Sequence, residues 1–135
     1  MWKCEIVDGA ELDIEEVAAL YRASTLAERR PVEDRARFAD MLRGANLVIT
    51  ARAEGQLIGI ARSLTDGVYA TYLSDLAVDQ AFQHQGVGRA LIQATREAAP
   101  QASITLLAAP AAVGYYPRVG FTQHDSAWVM ARPTS

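Results

Sequence analysis

One segment limits what this chain can become more than any other. An apolar run ending in Leu76-Ala77-Val78-Asp79 passes through Gln83-His84-Gln85-Gly86-Val87-Gly88-Arg89 into a stretch with Val87, Ala90, Leu91, Ala94 and Ala98 at helical spacing. A strand that turns through glycines into a helix, with another apolar run at Ser103 to Ala108, is a crossover unit. It commits the chain to a sheet with at least one parallel pair and a helix packed on it. It also builds an anion cup. The first N–H groups of a helix have no intrahelical partners, and the helix dipole favours negative charge there.

The segments before the crossover predict the rest of the sheet. Trp2 to Val7 reads as a first strand. Asp13 with Glu16 makes a capping-box-like start for a helix carrying Ile14, Val17, Ala18 and Tyr21 on one face. A second helix is expected from about Val32 to Leu42, ending at Gly44. Asn46 to Ala53 and Gln56 to Leu64 are strands joined at Glu54-Gly55. Asp66-Gly67 turns the chain into a long strand from Tyr69 to Val78. After Ser103 to Ala108, Ala111 to Val119 reads as a short helix ending at Gly120. Phe121 to His124 and Ala127 to Arg132 read as a closing antiparallel pair, with Trp128 packed in the core. The expected order is β-α-α-β-β-β-α-β-α-β-β. It gives a single α/β (α+β) domain over residues 1–135, with a mixed, mostly antiparallel sheet and helices on both faces.

Charge and residue counts remove several function classes. Thirteen basic residues against sixteen acidic ones give a net charge of -3, whereas a nucleic-acid binder usually carries a basic excess. Cys4 is the single cysteine, so no internal disulfide forms. With only His84 and His124 besides it, no zinc-ligand set and no metal are expected. Cys4 lies in an apolar run and is expected to be a small core residue. No signal peptide and no membrane span are visible, so a cytoplasmic location without a membrane partner is expected.

The ligand of the cup is narrowed by what the turn lacks. A dinucleotide fingerprint needs a third glycine where Leu91 stands, and no Gly-Lys-Ser/Thr of a P-loop is present. Downstream, the next strand is followed by Gly114-Tyr115-Tyr116-Pro117-Arg118-Val119-Gly120-Phe121. With Gln83-x-x-Gly86-x-Gly88 before it, this pair of motifs resembles the Gcn5-related N-acetyltransferase (GNAT) family. The resemblance extends over essentially the whole chain. It implies acetyl-CoA as cosubstrate, its pyrophosphate held by Gln83, His84, Gln85, Gly86, Val87, Gly88 and Arg89. It implies a pantetheine arm pairing with backbone at Leu76, Ala77 and Val78, in a groove opened by a bulge and splay of that strand. Two positions depart from the family pattern. His84 stands where many members carry Arg or Lys, and Ala109 stands where many carry Asn.

The implied reaction is direct acetyl transfer to a primary amine of a small molecule. The amine must be neutral to attack. A lysine-like amine of pKa about 10.4 is neutral about once in 2,500 at pH 7, a cost of roughly 4.6 kcal/mol, against about 1.4 kcal/mol for an α-amine near 8. Asp75, beside the thioester position, is the candidate base. Tyr116 matches the family tyrosine that protonates the departing thiolate, and the N–H of Val78 or a neighbour polarises the acetyl carbonyl. Tyr115 is assigned to packing. His124 and Asp125 are adjacent, so their side chains point apart and a loop reading is preferred. Arg29 and Arg30 would favour an acceptor carrying a carboxylate or phosphate, whereas Glu33 and Asp34 would favour a polyamine, so the segment leaves the acceptor open. A protein or peptide N-acetyltransferase is the alternative enzyme. A catalytically silent CoA-binding or interaction domain is the alternative of another class, and a homodimer is also left open.

Overall fold

The computed structural model describes residues 1–133. Five strands form one sheet in the order β1-β2-β3-β4-β5: β1 (Trp2–Val7), β2 (Leu47–Ala53), β3 (Gln56–Thr65), β4 (Ala70–Val78) and β5 (Ser103–Thr105). The first four run antiparallel, and β5 joins β4 in parallel after the crossover helix. Helices α1 (Ile14–Ser24) and α2 (Arg35–Gly44) cover one face, and α3 (Val87–Ala98) covers the other.

Local sequence accounts for these boundaries. The Asp13 carboxylate accepts the Glu15 and Glu16 N–H groups and starts α1. Thr25, left-handed at φ 75°, ends it. α2 begins at Arg35 rather than near Val32, because Asp34 is the residue that caps it, accepting from the Arg37 N–H. Tyr21, Phe38, Leu42, Ile60 and Ala77 form the core beneath α1 and α2. Ile49, Ile58, Leu73, Val87 and Leu91 form the core beneath α3. β3 is buried on both faces, so it reads as a nearly continuous apolar run.

The bulge implied by the family resemblance is present. Arg62 pairs with Asp75, but the next residue, Ser63, pairs with Leu73. Ser74 is therefore the extra residue. It turns Leu73 and Leu76 to the α3 side while Asp75 and Ala77 face α1.

The end of the chain differs from expectation. Ala111 to Val119 forms two separate 3₁₀ turns, Pro110–Ala112 and Tyr116–Val119, not one helix. Pro117 cannot donate to a helical ladder, and Gly114 lies between the turns. The strand expected over Ser103 to Ala108 pairs only through Thr105. Phe121 to His124 and Ala127 to Arg132 form no strands, and Trp128 is 92 % exposed rather than core. A strand is held by its ladder; the hydrogen bonds at this end are local, such as Ser126 N–H to His124 Nδ1, so the apolar run from Ala127 to Ala131 has no neighbouring strand to pair with. Cys4 is half-buried on β1. Among the described residues no helix is long and apolar enough to cross a membrane.

Candidate active site

The site begins where β4 and β5 part. Their parallel pairing covers only Ala70–Tyr72 against Ser103–Thr105, so β4 beyond Leu73 has an open edge. The direction of its backbone groups follows from the other side of the strand. The Asp79 N–H donates to the Ile58 carbonyl at 2.8 Å. Antiparallel pairs alternate between bonded and non-bonded, so Ala77 faces Ile60 while Leu76 and Val78 turn their N–H and C=O groups away from β3, into the gap. In keeping with this, the Val78 carbonyl accepts from Gln83 Nε2 at 3.2 Å. Leu76 and Val78 line the gap. Ala77 does not: its side chain is buried on the α1 side and its backbone serves the sheet, which corrects its expected place among the ligand contacts.

The gap opens into a cleft of about 820 Å³ between β4, the start of α3 and the turns around Tyr115. At its far end Gly86 caps α3 in the left-handed region at φ 88°, with no side chain bonded across the helix start. The first bond returned to the turn is Ala90 N–H to the Gly86 carbonyl at 3.0 Å, so Val87, Gly88 and Arg89 present N–H groups without intrahelical partners. His84 is also left-handed, at φ 65°, and lines the cleft, as do Gln83, Gly86, Val87, Gly88 and Arg89. Gln85 lies within the turn without lining the cleft. Arg89 donates to the Arg118 carbonyl at 3.2 Å, and the charges of both arginines act on the Tyr115 phenol at this end.

Both tyrosines reach the cleft. Tyr115 lies over the start of α3: a Cβ added at Gly88 would stand 2.7 Å from its hydroxyl. A side chain at position 88 would have to displace that hydroxyl. Tyr116 stacks edge-on between Tyr115 and Phe121, with centroids at 5.3 and 5.5 Å. Burial, with Tyr115 beside it, raises its phenol above the ordinary value, which keeps the proton on at neutral pH.

Asp75 occupies another environment than a base requires. It is 1 % exposed and lines no cleft. Oδ2 accepts from the Tyr21 hydroxyl and Arg62 Nε, both at 2.7 Å, and Oδ1 accepts from Arg30 Nε at 2.6 Å. Burial pushes its carboxyl up, but the hydrogen bond and charge of Arg62, with the charge of Arg30, outweigh burial and hold it below the usual range. The assignment of Asp75 as base is therefore corrected. It is an anchor that fixes Arg30 and Arg62 around the bulge, where they also bond the Ser74 carbonyl and hydroxyl at 2.8 and 2.9 Å. Sequence reasoning missed Arg62, Tyr21 and Ser74. A signal existed for Arg62: it interrupts the apolar run Leu57-Ile58-Gly59-Ile60-Ala61, and the turn at Asp66-Gly67 sets it across from Asp75.

A shorter cleft of about 570 Å³ lies against α2 and β3 and shares Arg29, Arg30, Ser74 and Leu107 with the long one. The two meet at the bulge. His124 and Asp125 lie in an exposed turn and line neither cleft. Among the described residues no group of His, Cys, Asp and Glu side chains could hold a metal.

Residues 18–131 match the family model described as an acetyltransferase (GNAT) domain. A GNAT-family acetyltransferase of Streptococcus pneumoniae superposes with a TM-score of 0.75 at 20% identity, each chain covered in full. An aminoglycoside acetyltransferase from an uncultured soil metagenomic sample gives 0.76 at 22%, over 99% of this chain and 97% of that one. A ribosomal-protein-alanine N-acetyltransferase of Brucella melitensis gives 0.72 at 18%, over 98% and 99%. At these identities the likeness is one of fold.

Proposed function

Because this chain belongs to the GNAT family of acetyl-CoA-dependent acetyltransferases, we propose that it transfers acetyl directly to a primary amine of a small molecule. The observation that carries this reading is the continuity of the site. The open edge of β4 leads from the anion cup at α3 to the bulge at Ser74, where a second, smaller cleft meets it. A donor and an acceptor arriving through the two clefts meet at one point. A small second cleft supports a small acceptor, since a protein substrate needs a surface along which its chain can lie.

The cosubstrate supplies an acetyl group activated as a thioester. Val87, Gly88 and Arg89 N–H groups, with the Arg89 and Arg118 guanidinium groups, are suited to its pyrophosphate. Leu76 and Val78 offer backbone groups in strand geometry to its amide-bearing arm, a form of strand addition. Their N–H groups also stand ready to stabilise charge developing on the carbonyl oxygen. Tyr116 holds a proton for the departing sulfur. Cys4, the single cysteine, lines neither cleft, which supports direct transfer over a cysteine-bound acetyl intermediate. With Asp75 engaged, deprotonation of the amine falls to water in the cleft.

Calorimetry with acetyl-CoA, followed by thiol release over a panel of amines, tests this reading. Saturable binding with amine-dependent release supports it. Binding without release for any amine favours a silent CoA-binding domain, and absence of binding overturns it.

A further inference from the structure

The segment from Glu28 to Arg35 carries both signs of charge, and the structure separates them. Glu33 pairs outward with Arg22 at 3.0 Å, and Asp34 is spent capping α2. Neither acid, nor Glu28, lines a cleft. The short cleft is instead lined by Arg29, Arg30, Arg37, Arg62 and Arg132, and by no acidic residue. Asp75 lies behind it and is shared between Arg30 and Arg62. These two guanidiniums are further occupied by the Arg29, Met41 and Ser74 carbonyls. Arg29, Arg37 and Arg132 have no acidic partner among the described residues. A concave, arginine-lined surface at the transfer point binds carboxylate or phosphate and repels polycations.

From this we infer that the acceptor is a small primary amine that also bears a carboxylate or phosphate, held in the short cleft by Arg37 and Arg132 with Arg29 at the junction. This rests on the acetyltransferase reading above. The surplus positive charge has a second effect: it disfavours the ammonium form of an amine brought beside it and so promotes the neutral nucleophile. The acceptor's own acid group anchors the molecule while the arginine field works against the amine's extra proton. That supplies, without a dedicated base, part of what Asp75 does not.

The test measures thiol release with matched pairs: an α-amino acid against its amide, and phosphoethanolamine against ethanolamine, with spermidine and an acidic peptide alongside. The anionic member of at least one pair is expected to have a kcat/KM about tenfold or more higher, the factor lost with one charge-assisted contact. Which pair responds distinguishes carboxylate from phosphate. Arg37→Gln and Arg132→Gln should each collapse that ratio through KM for the anionic member. Arg22→Gln, outside both clefts, should leave the ratio as in the wild type. Equal rates within both pairs, preference for spermidine, or activity on the acidic peptide alone would overturn the inference while leaving acetyl transfer intact. If calorimetry shows no acetyl-CoA binding, the acetyltransferase reading fails by itself. The cleft is then judged by titration with inorganic phosphate: binding lost in the Arg37→Gln, Arg132→Gln double variant supports an anion site, and no binding to the wild type overturns it.

Discussion

At the scale of single residues, Asp75 and Tyr116 divide roles between holding and reacting. Asp75 is the one carboxylate among Tyr21, Arg30 and Arg62. Asp75→Asn keeps the shape but leaves two guanidiniums around a neutral group. Breaking a buried pair this way costs about 3–5 kcal/mol, readable by urea unfolding at pH 7. The pH dependence has a definite sign. The folded carboxyl lies below its unfolded value of about 3.9, so its stabilisation is present above that pH and is lost as pH falls through the folded value. The gap between wild type and variant should therefore be widest near neutrality and close in acid. Folded Asp75→Asn should keep the shape of the wild-type pH–rate profile; loss of the acid-side limb would restore Asp75 as the base. Tyr116 faces the cleft with its proton retained by burial. Tyr116→Phe is expected to lower kcat by about 10²-fold or more, the usual worth of a positioned acid, with little change in the dissociation constant for acetyl-CoA. Stopped-flow rates beside calorimetry separate the two effects.

At the scale of elements, β4 has one edge for the sheet and one for the ligand. Asp79 and Ala77 turn to β3, and Leu76 and Val78 turn to the cleft. Proline is tolerated in a strand where its missing N–H would face away from the ladder. Val78→Pro should therefore keep the sheet, measured by circular dichroism, while weakening acetyl-CoA binding by about tenfold, the value of one hydrogen bond of roughly 1.4 kcal/mol. An unchanged dissociation constant would remove Val78 from the contact. This edge also shows how far sequence reasoning reaches. The four antiparallel strands, α1 and α3 were legible because their apolar periods are long and their turns carry Gly55, Gly67 and Gly86. The cup was legible for the same reason. The bulge was implied only by the family resemblance: the polar pair Ser74-Asp75 between Leu73 and Leu76 breaks the alternation of β4 but does not say which residue is the extra one. The identity of Asp75 as an anchor followed from that bulge and from Tyr21, which is 54 residues away in the chain. The end of the chain was misread because the apolar run from Ala127 to Ala131 forms a strand only when a partner edge is available, and β5 extends only from Ser103 to Thr105.

At the scale of the whole molecule, charge is distributed against its own average. The chain carries sixteen acidic and thirteen basic residues. Yet Arg29, Arg30, Arg89 and Arg118 line the long cleft, Arg37, Arg62 and Arg132 complete the short one, and no acidic side chain lines either. The acids are placed elsewhere: Glu15, Glu16, Glu33 and Asp40 pair with Arg35, Arg52, Arg22 and Arg43 on the outer surface of the helices and sheet. A net-negative protein therefore presents a positive mouth, and clefts lined by one sign focus the field on an incoming ligand. The consequence is kinetic. The Debye length shrinks from about 30 Å at 0.01 M salt to about 10 Å at 0.1 M and 3 Å at 1 M, so attraction over the approach path is lost first. Across that series kcat/KM for acetyl-CoA should fall about tenfold or more, while kcat at saturation stays nearly constant because the chemistry occurs inside the screened site. Arg118→Gln should flatten the slope, since it removes a charge at the mouth without touching Tyr116 or the edge of β4. A kcat/KM independent of salt in both proteins would show that the arginines act only after contact and steer nothing.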